Sequence, residues 1–266
     1  MRKRRPRRRG PAKRGGTISL CMIVKNEARF LGRCLAGARD VVDQMVVVDT
    51  GSTDATVAIA EAAGAEVHHW AWRDDFAQAR NVSLGYATGD WILILDGDER
   101  FAEGAAEALR ALDLGPDAPD AYDFEVINYS TDRHRRSEAM LQRQIRLFRN
   151  RPNFRYSGHV HNQIADLASG WPLEGPPAPV AVEHFGYTPT VWAHQRKVER
   201  LTMLERAVRE QPDSPFTHYN LANHLKILER FDEALSHYRA CLDRLAGERS
   251  LEWHTMAAVM AAFCAH

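Results

Sequence analysis

The sequence predicts an α/β fold: a mostly parallel sheet with helices on both faces, followed by an α-helical tail. Three observations predict it. From Ile18 to Leu95, short uninterrupted apolar runs alternate with segments of helical periodicity. Runs of that kind are strands buried on both faces, as parallel sheets under crossover helices require. Polar and acidic residues gather just past the ends of those runs, where open parallel sheets hold their ligands. Beyond Thr190 the pattern turns helical. The chain has 266 residues, 45% hydrophobic and 26% charged, which excludes collagen-like, disordered and disulfide-scaffold classes. It is long enough for a sizeable core.

The elements follow in order. Residues 1–16 are rich in Arg, Pro and Gly and read as a disordered basic arm. Its first 14 residues carry nine basic side chains and no acid, so the remaining body is acidic, with 26 basic against 35 acidic residues. The arm offers charge to a nucleic acid or an anionic lipid, or serves only solubility; without aromatics it predicts no specific nucleic-acid binding. It resembles the start of a signal peptide, but Ile18 to Val24 is too short and polar-flanked to be the apolar region of one. Ile18 to Val24 is the first strand. Ala28 to Ala38 has helical spacing, and Met45 to Val48 is a valine-rich second strand stopping at Asp49. Gly51-Ser52-Thr53-Asp54 is loop and capping chemistry before a helix over Ala55 to Ala63, which Gly64 ends. Glu66 to Trp70 is the third strand, Asp75 to Ala87 a helix, and Trp91 to Leu95 the fourth strand. After a Gly/Pro/Asp loop from Asp113 to Asp120, Ala121 to Asn128 and Gln142 to Phe148 read as further strands. Pro172 to Pro179 reads as a Pro-rich connection.

The tail, residues 191–266, carries a repeat. Leu221, Ala222, Leu225, Ala234, Tyr238 and Cys241 fall at the apolar and small positions of the tetratricopeptide pattern. Val198 to Arg209 resembles the second helix of a preceding repeat, and Leu251 to Cys264 the start of the next. Repeats bury their faces only against neighbours, so these helices are expected to pack on the α/β domain. Cys21, Cys34, Cys241 and Cys264 sit apart among apolar neighbours and read as buried thiols, not as a zinc set. No apolar run approaches the ~20 residues of a membrane span. A cytoplasmic protein is expected, with peripheral contact at the inner membrane left open to the arm.

The chemistry is expected where strands end. Asp96-Gly97-Asp98 follows the fourth strand. Two carboxylates one residue apart can face one hard cation, Mn2+ or Mg2+, which takes oxygen ligands and often shares them with a nucleoside diphosphate. The same residues form turns after any strand. Asp49 can bond a ribose hydroxyl or a base edge. A dehydrogenase would also need G-x-G-x-x-G after the first strand, where Lys25-Asn26-Glu27 stands. Trp70 and Trp72 pack or stack.

Four ordered blocks carry a resemblance. They are Ser19 to Glu27, Val46 to Asp54, Asp74-Asp75-Phe76 with Ala79-Arg80-Asn81, and Gly89-Asp90-Trp91 running into Leu95-Asp96-Gly97-Asp98-Glu99. They resemble the nucleotide-sugar domain of family 2 glycosyltransferases, of GT-A (Rossmann-like) fold. The similarity continues through Arg146 to Asn150, Gly158 to Gln163 and Glu183 to Tyr187 into the tetratricopeptide-like helices of a bacterial subgroup. The resemblance implies a glycosyltransferase domain over residues 17–190 and roles for particular residues. Val24, Lys25, Asn26, Glu27 and Asp49 would line the nucleoside pocket, with Asp49 on the base and Asp75 helping to hold its uracil end. Arg80 would face the diphosphate, whose geometry a guanidinium suits; alone, Arg80 is an ordinary surface helix residue. Asp96 would contact the ribose and the metal side, Asp98 would ligate the metal, and His184 would be a further ligand, although alone it reads as a core histidine. The subgroup's Val-His-Glu is Val160-His161-Asn162 here, and Asn162 cannot accept a proton. His161, Glu99 and Glu138 remain as bases, His161 first, since its ordinary pKa of about 6.5 suits the task.

The implied function is metal-dependent, inverting transfer from a nucleotide-diphosphate sugar, UDP-linked, to an acceptor in envelope-glycan or protein glycosylation. That acceptor is a glycan, lipid-linked or protein molecule, and the repeat helices offer a surface to a protein partner. Two rivals stand beside it. One is a catalytically degenerate domain acting as a repeat-bearing scaffold, which Asn162 favours. The other is a nucleotidyltransferase, which lacks its Gly-rich phosphate loop here.

Overall fold

The computed structural model describes residues 15–130, 134–158, 162–186, 194–245 and 251–265, with side chains from 200 and 255 onward in the last two stretches. The basic arm therefore lies outside the described residues up to residue 14, as does the domain boundary at 190.

The first four strands form where expected, three of them on apolar runs and the third on a polar, partly exposed segment at the sheet edge. They are β1 (Ile18–Val24), β2 (Gln44–Asp49), β3 (Glu66–His69) and β4 (Trp91–Ile94), all parallel in the order β3-β2-β1-β4. Three helices connect them: α1 (Leu31–Ala38), α2 (Thr56–Ala62) and α3 (Phe76–Gly85). Successive residues of a strand face opposite sides. Leu20 and Met22 of β1 therefore join Leu31, Leu35 and Ala60 in one buried cluster, while Cys21 joins Val46, Val48, Ala77 and Ile94 in another. Both faces are covered, which is why the runs carry almost no polar residue. Register sets Val24 opposite Asp49 and Cys21 opposite Ile94, so the loops after β1, β2 and β4 emerge together.

The second half departs from the parallel plan. It holds β5 (Glu99–Phe101), α4 (Ala105–Arg110), β6 (Ala121–Asn128), β7 (Met140–Arg149), β8 (Phe154–Ser157), β9 (Gln163–Asp166), β10 (Trp171–Pro172) and β11 (Pro177–His184). The full sheet runs β3-β2-β1-β4-β7-β6-β11-β5. The β4–β7, β6–β7 and β5–β11 pairs are antiparallel, and β6–β11 is parallel. A separate antiparallel sheet orders β10-β9-β8. The Pro-rich connection expected over Pro172 to Pro179 is partly strand. Pro177 begins β11, and the register against β6 shifts between Pro177 and Ala181. A strand start and a ladder irregularity are where proline's missing donor does least harm.

The tail is helical throughout its described length: α5 (His194–Glu210), α6 (Pro215–Ile227), α7 (Phe231–Leu245) and α8 (Leu251–Cys264). Ser214 caps α6 by accepting the Thr217 N–H, and Pro215 follows in the first turn. Leu221, Ala222, Leu225, Ala234, Tyr238 and Cys241 are all buried in one cluster with Met203, Leu204 and Ala257. Trp72 and Phe76, from the β3–α3 connection, pack against that cluster. The tail thus rests on the α/β domain beside the C-terminal ends of its parallel strands. All four cysteines are buried and free.

Candidate active site

A cavity of about 950 Å3 opens at those strand ends. It reaches from Val24, Lys25, Glu27 and Thr50, past Arg80, Asp96 and Asp98, to β6, β7 and His184, and one wall comes from the helical tail.

Its floor is a charge network. Arg80, on α3, donates from Nη2 to Asp96 Oδ1 at 2.6 Å. Arg146, on β7, lies 3.6 Å from Asp96 Oδ2 and also bonds Glu99. Glu99 accepts the Asp96 N–H at 2.8 Å, tying the turn closed. Burial alone would raise the Asp96 carboxyl, but Arg80 and Arg146 outweigh it and hold Asp96 well below the usual carboxylate range. At Glu99 burial wins over Arg146, and its pKa rises to about 7. Arg80 also lies over the Tyr156 ring at 5.4 Å. Its Nε and Nη1 are buried without a hydrogen-bond partner. A buried guanidinium with spare donors at a cavity wall is chemistry for an anion.

Beside the network, His184 Nε2 lies 3.5 Å from Asp98 Oδ2. His184 Nδ1 faces Asn128 Oδ1 at 2.7 Å, and an amide oxygen only accepts, so Nδ1 carries the proton and donates. Burial opposes a charge on His184, but the bond and charge of Asp98, backed by Glu99 and Asp96, raise its pKa to about 8. Gly186 leaves room beside the pair. A Cβ there would fall 2.3 Å from Asp98 Oδ2 and 2.7 Å from His184 Nε2. A carboxylate oxygen and an imidazole nitrogen, the latter oriented by a partner on its other nitrogen, form a donor set that fits a divalent cation. Asp96 does not complete a third ligand, since its oxygens serve the two arginines. Among the described residues no three His, Cys, Asp or Glu side chains surround one point.

The other expected residues divide. Val24, Lys25 and Glu27 line the cavity, whereas Asn26, Asp49 and Asp75 are not on its wall. Asn26 has a left-handed backbone, φ 57°, and its Oδ1 accepts the Thr53 N–H at 2.8 Å. Asp49 is turned into its own loop, accepting the N–H groups of Gly51 and Ser52, with His69 Nδ1 at 3.4 Å. Asp75 caps α3 through the Gln78 N–H at 2.9 Å. Glu99 is buried under Asp96 and faces a smaller cavity of about 250 Å3 with Arg100 and Phe185. Glu138 is off the wall of the large cavity, with Arg135 at 3.6 Å. His161 lies outside the described residues, while Asn162 is on the wall. Of the tryptophans, Trp72 lines the cavity, edge-on to Phe76, and Trp70 packs into the core.

Sequence reasoning gave no role to Arg146, Asn128, Gly186 or the tail's cavity residues. Arg146 had a signal, as a cation set directly between Ile145 and Leu147. Asn128 and Gly186 had none, because their roles depend on where His184 lands.

Comparison with known proteins matches residues 19–170 to the family described as glycosyl transferase family 2. A TPR repeat-containing protein of Synechococcus elongatus is 35% identical, over 85% of this chain and 66% of that protein. The SPbeta prophage-derived glycosyltransferase SunS of Bacillus subtilis is 26% identical, over 85% of this chain and 53% of that protein. This chain therefore spans about two thirds and about half of these relatives' lengths. Among solved structures, glucosyl-3-phosphoglycerate synthase from Mycobacterium tuberculosis is 23% identical over 43% of this chain and 45% of that one, with a TM-score of 0.35.

Proposed function

The chain belongs to glycosyl transferase family 2, and from that membership we propose that it transfers a sugar from a nucleotide-diphosphate donor, UDP-linked, to a nucleophile on a glycan, lipid-linked or protein acceptor. The observation that carries this reading is the adjacency of two features in one cavity: the Asp98–His184 pair with its Gly186 clearing, and Arg80 with unpartnered donors.

The proposed roles follow from the contacts. Asp98 and His184 would hold Mn2+ or Mg2+, and the bound cation would supply neutralisation of charge on the departing diphosphate. Arg80 would donate to the diphosphate, kept in place by Asp96, which Arg146 braces from behind. Asn128 would hold the His184 ring so that Nε2 faces the cation position beside Asp98. Glu27 would shape the turn, since its side chain packs directly against Gly97. His161 would take the acceptor's proton, and Asn162 beside it would orient the acceptor without taking one. Catalysis of this kind is mostly alignment and fixed electrostatics. The tail, read as tetratricopeptide-like, would keep the β3–α3 connection in place.

The test is calorimetric binding of UDP, GDP and ADP, each with Mn2+ and with EDTA, to the wild type and to Asp98→Ala. The expected result is UDP binding that needs the metal and is lost in the variant. No binding of any nucleotide to the wild type, with or without metal, overturns the proposal in favour of a degenerate, repeat-bearing scaffold.

A further inference from the structure

The two acids that the resemblance assigned to the base are occupied elsewhere. Asp49 serves the N–H groups of its own loop, and Asp75 caps a helix off the cavity wall. The nucleoside end of the cavity is nevertheless walled. Thr50 stands at the end of β2, Trp72 and Phe76 come from the β3–α3 connection, and Met203, Phe216 and Asn220 come from α5 and α6. Asn220 is the unusual member. It is 8% exposed, it lines the cavity, and no hydrogen bond joins its side-chain amide to another described residue. A buried amide in a packed helical region normally has partners. This one lies one turn along α6 from Phe216, on the same cavity wall, and keeps both a donor and an acceptor for what the cavity holds.

An aromatic recess with one amide suits a flat heterocycle. Every base offers a π-face for stacking, and the edge of uracil presents a carbonyl next to an N–H, the complement of a carboxamide. The recess also borders the ends of β1 and β2, where a donor's nucleoside would lie if its diphosphate met Arg80. We infer that the helical tail, through Asn220 and Phe216, binds the nucleobase of the donor, an inference that rests on the nucleotide-sugar reading above. The tail is then part of the donor site, and Asn220 is a base-binding residue contributed across 170 residues of chain from Thr50.

The test separates base recognition from diphosphate recognition. Calorimetry with Mn2+ would compare UDP, ADP and inorganic pyrophosphate on the full chain, as wild type, Asn220→Ala, Asn220→Asp and Phe216→Ala. Circular dichroism would check that each variant is folded. The Phe216 variant guards against misfolding at the buried amide, because Phe216 is 37% exposed. Removing either the hydrogen bonds or the stacking face should weaken UDP about tenfold, and any ADP binding with it, leaving pyrophosphate unchanged. UDP affinity that is metal-dependent, lost in Asp98→Ala and unmoved by the Asn220 and Phe216 changes overturns this inference while leaving the transferase reading intact. Equal losses for UDP and pyrophosphate also overturn it, since they mark a general disturbance. Absence of all nucleotide binding in the wild type instead removes the transferase reading, and this inference with it.

Discussion

At the scale of single residues, Gly186 makes the sharpest demand. The space where its Cβ would stand lies between Asp98 and His184, so even alanine must force the pair apart. Gly186→Ala should lower metal-dependent nucleotide affinity by about tenfold or more, as disturbance of a ligand's supporting shell commonly does. A Mn2+ titration of nucleotide binding checks it, and an unchanged midpoint would show that the pair holds no cation. Asp98 was legible in the sequence because it stands in a motif just past a strand, and His184 only through the resemblance, since β11, which it ends, carries no strand pattern of its own. Asp49 and Asp75 were legible as residues but not as contacts. Caps and ligand sites use the same carboxylates, and sequence does not say which donors a carboxylate meets. Asn220 was invisible for a different reason. Its importance arises only when α6 is docked on the β3–α3 connection, a long-range contact with no local pattern.

At the scale of elements, legibility tracked burial. β1, β2 and β4 announced themselves because both their faces are covered, and β6 matched its expected span, Ala121 to Asn128, to the residue. β5, α4, β8, β9 and β10 passed unseen, being too short for a period to show. β11 was masked by its prolines. The tail's helices read clearly, and their junction holds a titratable feature. His218 Nε2 donates to the Pro212 carbonyl at 2.9 Å, leaving its Nδ1 2.9 Å from Nδ1 of His237. Burial lowers the pKa of His218 against the pull of that carbonyl, and burial with the neighbouring His218 lowers that of His237. A histidine that resists protonation when folded binds more protons unfolded. Stability from this junction is therefore present above the ordinary histidine pKa of about 6.5 and lost as pH falls below it. The thermal midpoint of the wild type should drop on going from about pH 7.5 to about pH 5.5, and drop less in His237→Gln. Equal drops in both proteins would place the acid sensitivity elsewhere.

At the scale of the whole molecule, the α/β domain and the tail share more than a linker. Trp72 and Phe76 pack into the tail's core and also wall the cavity, so docking and site formation use the same side chains. A single unfolding transition is expected, and Trp72→Ala, a half-buried site, should destabilise by about 1–2 kcal/mol and separate the tail's melting from that of the domain. Scanning calorimetry decides it; one unchanged transition in the variant would mean the halves are held together by other contacts. Among the described residues no helix is long and apolar enough to cross a membrane. The charge network beneath the cavity also sets how the molecule answers to ionic strength. Two guanidiniums, Arg80 and Arg146, face two carboxyl groups, Asp96 and Glu99; Asp96 opens to the cavity, while the Arg146–Glu99 pair beneath it is shut off from bulk solvent. Mobile ions reach the Arg146–Glu99 pair poorly, whereas they screen exposed charges within about 10 Å at ordinary salt. The scaffold under the site is thus insulated from the cell's electrolyte, and changes in salt act on the acidic outer surface and on the approach of charged molecules to it.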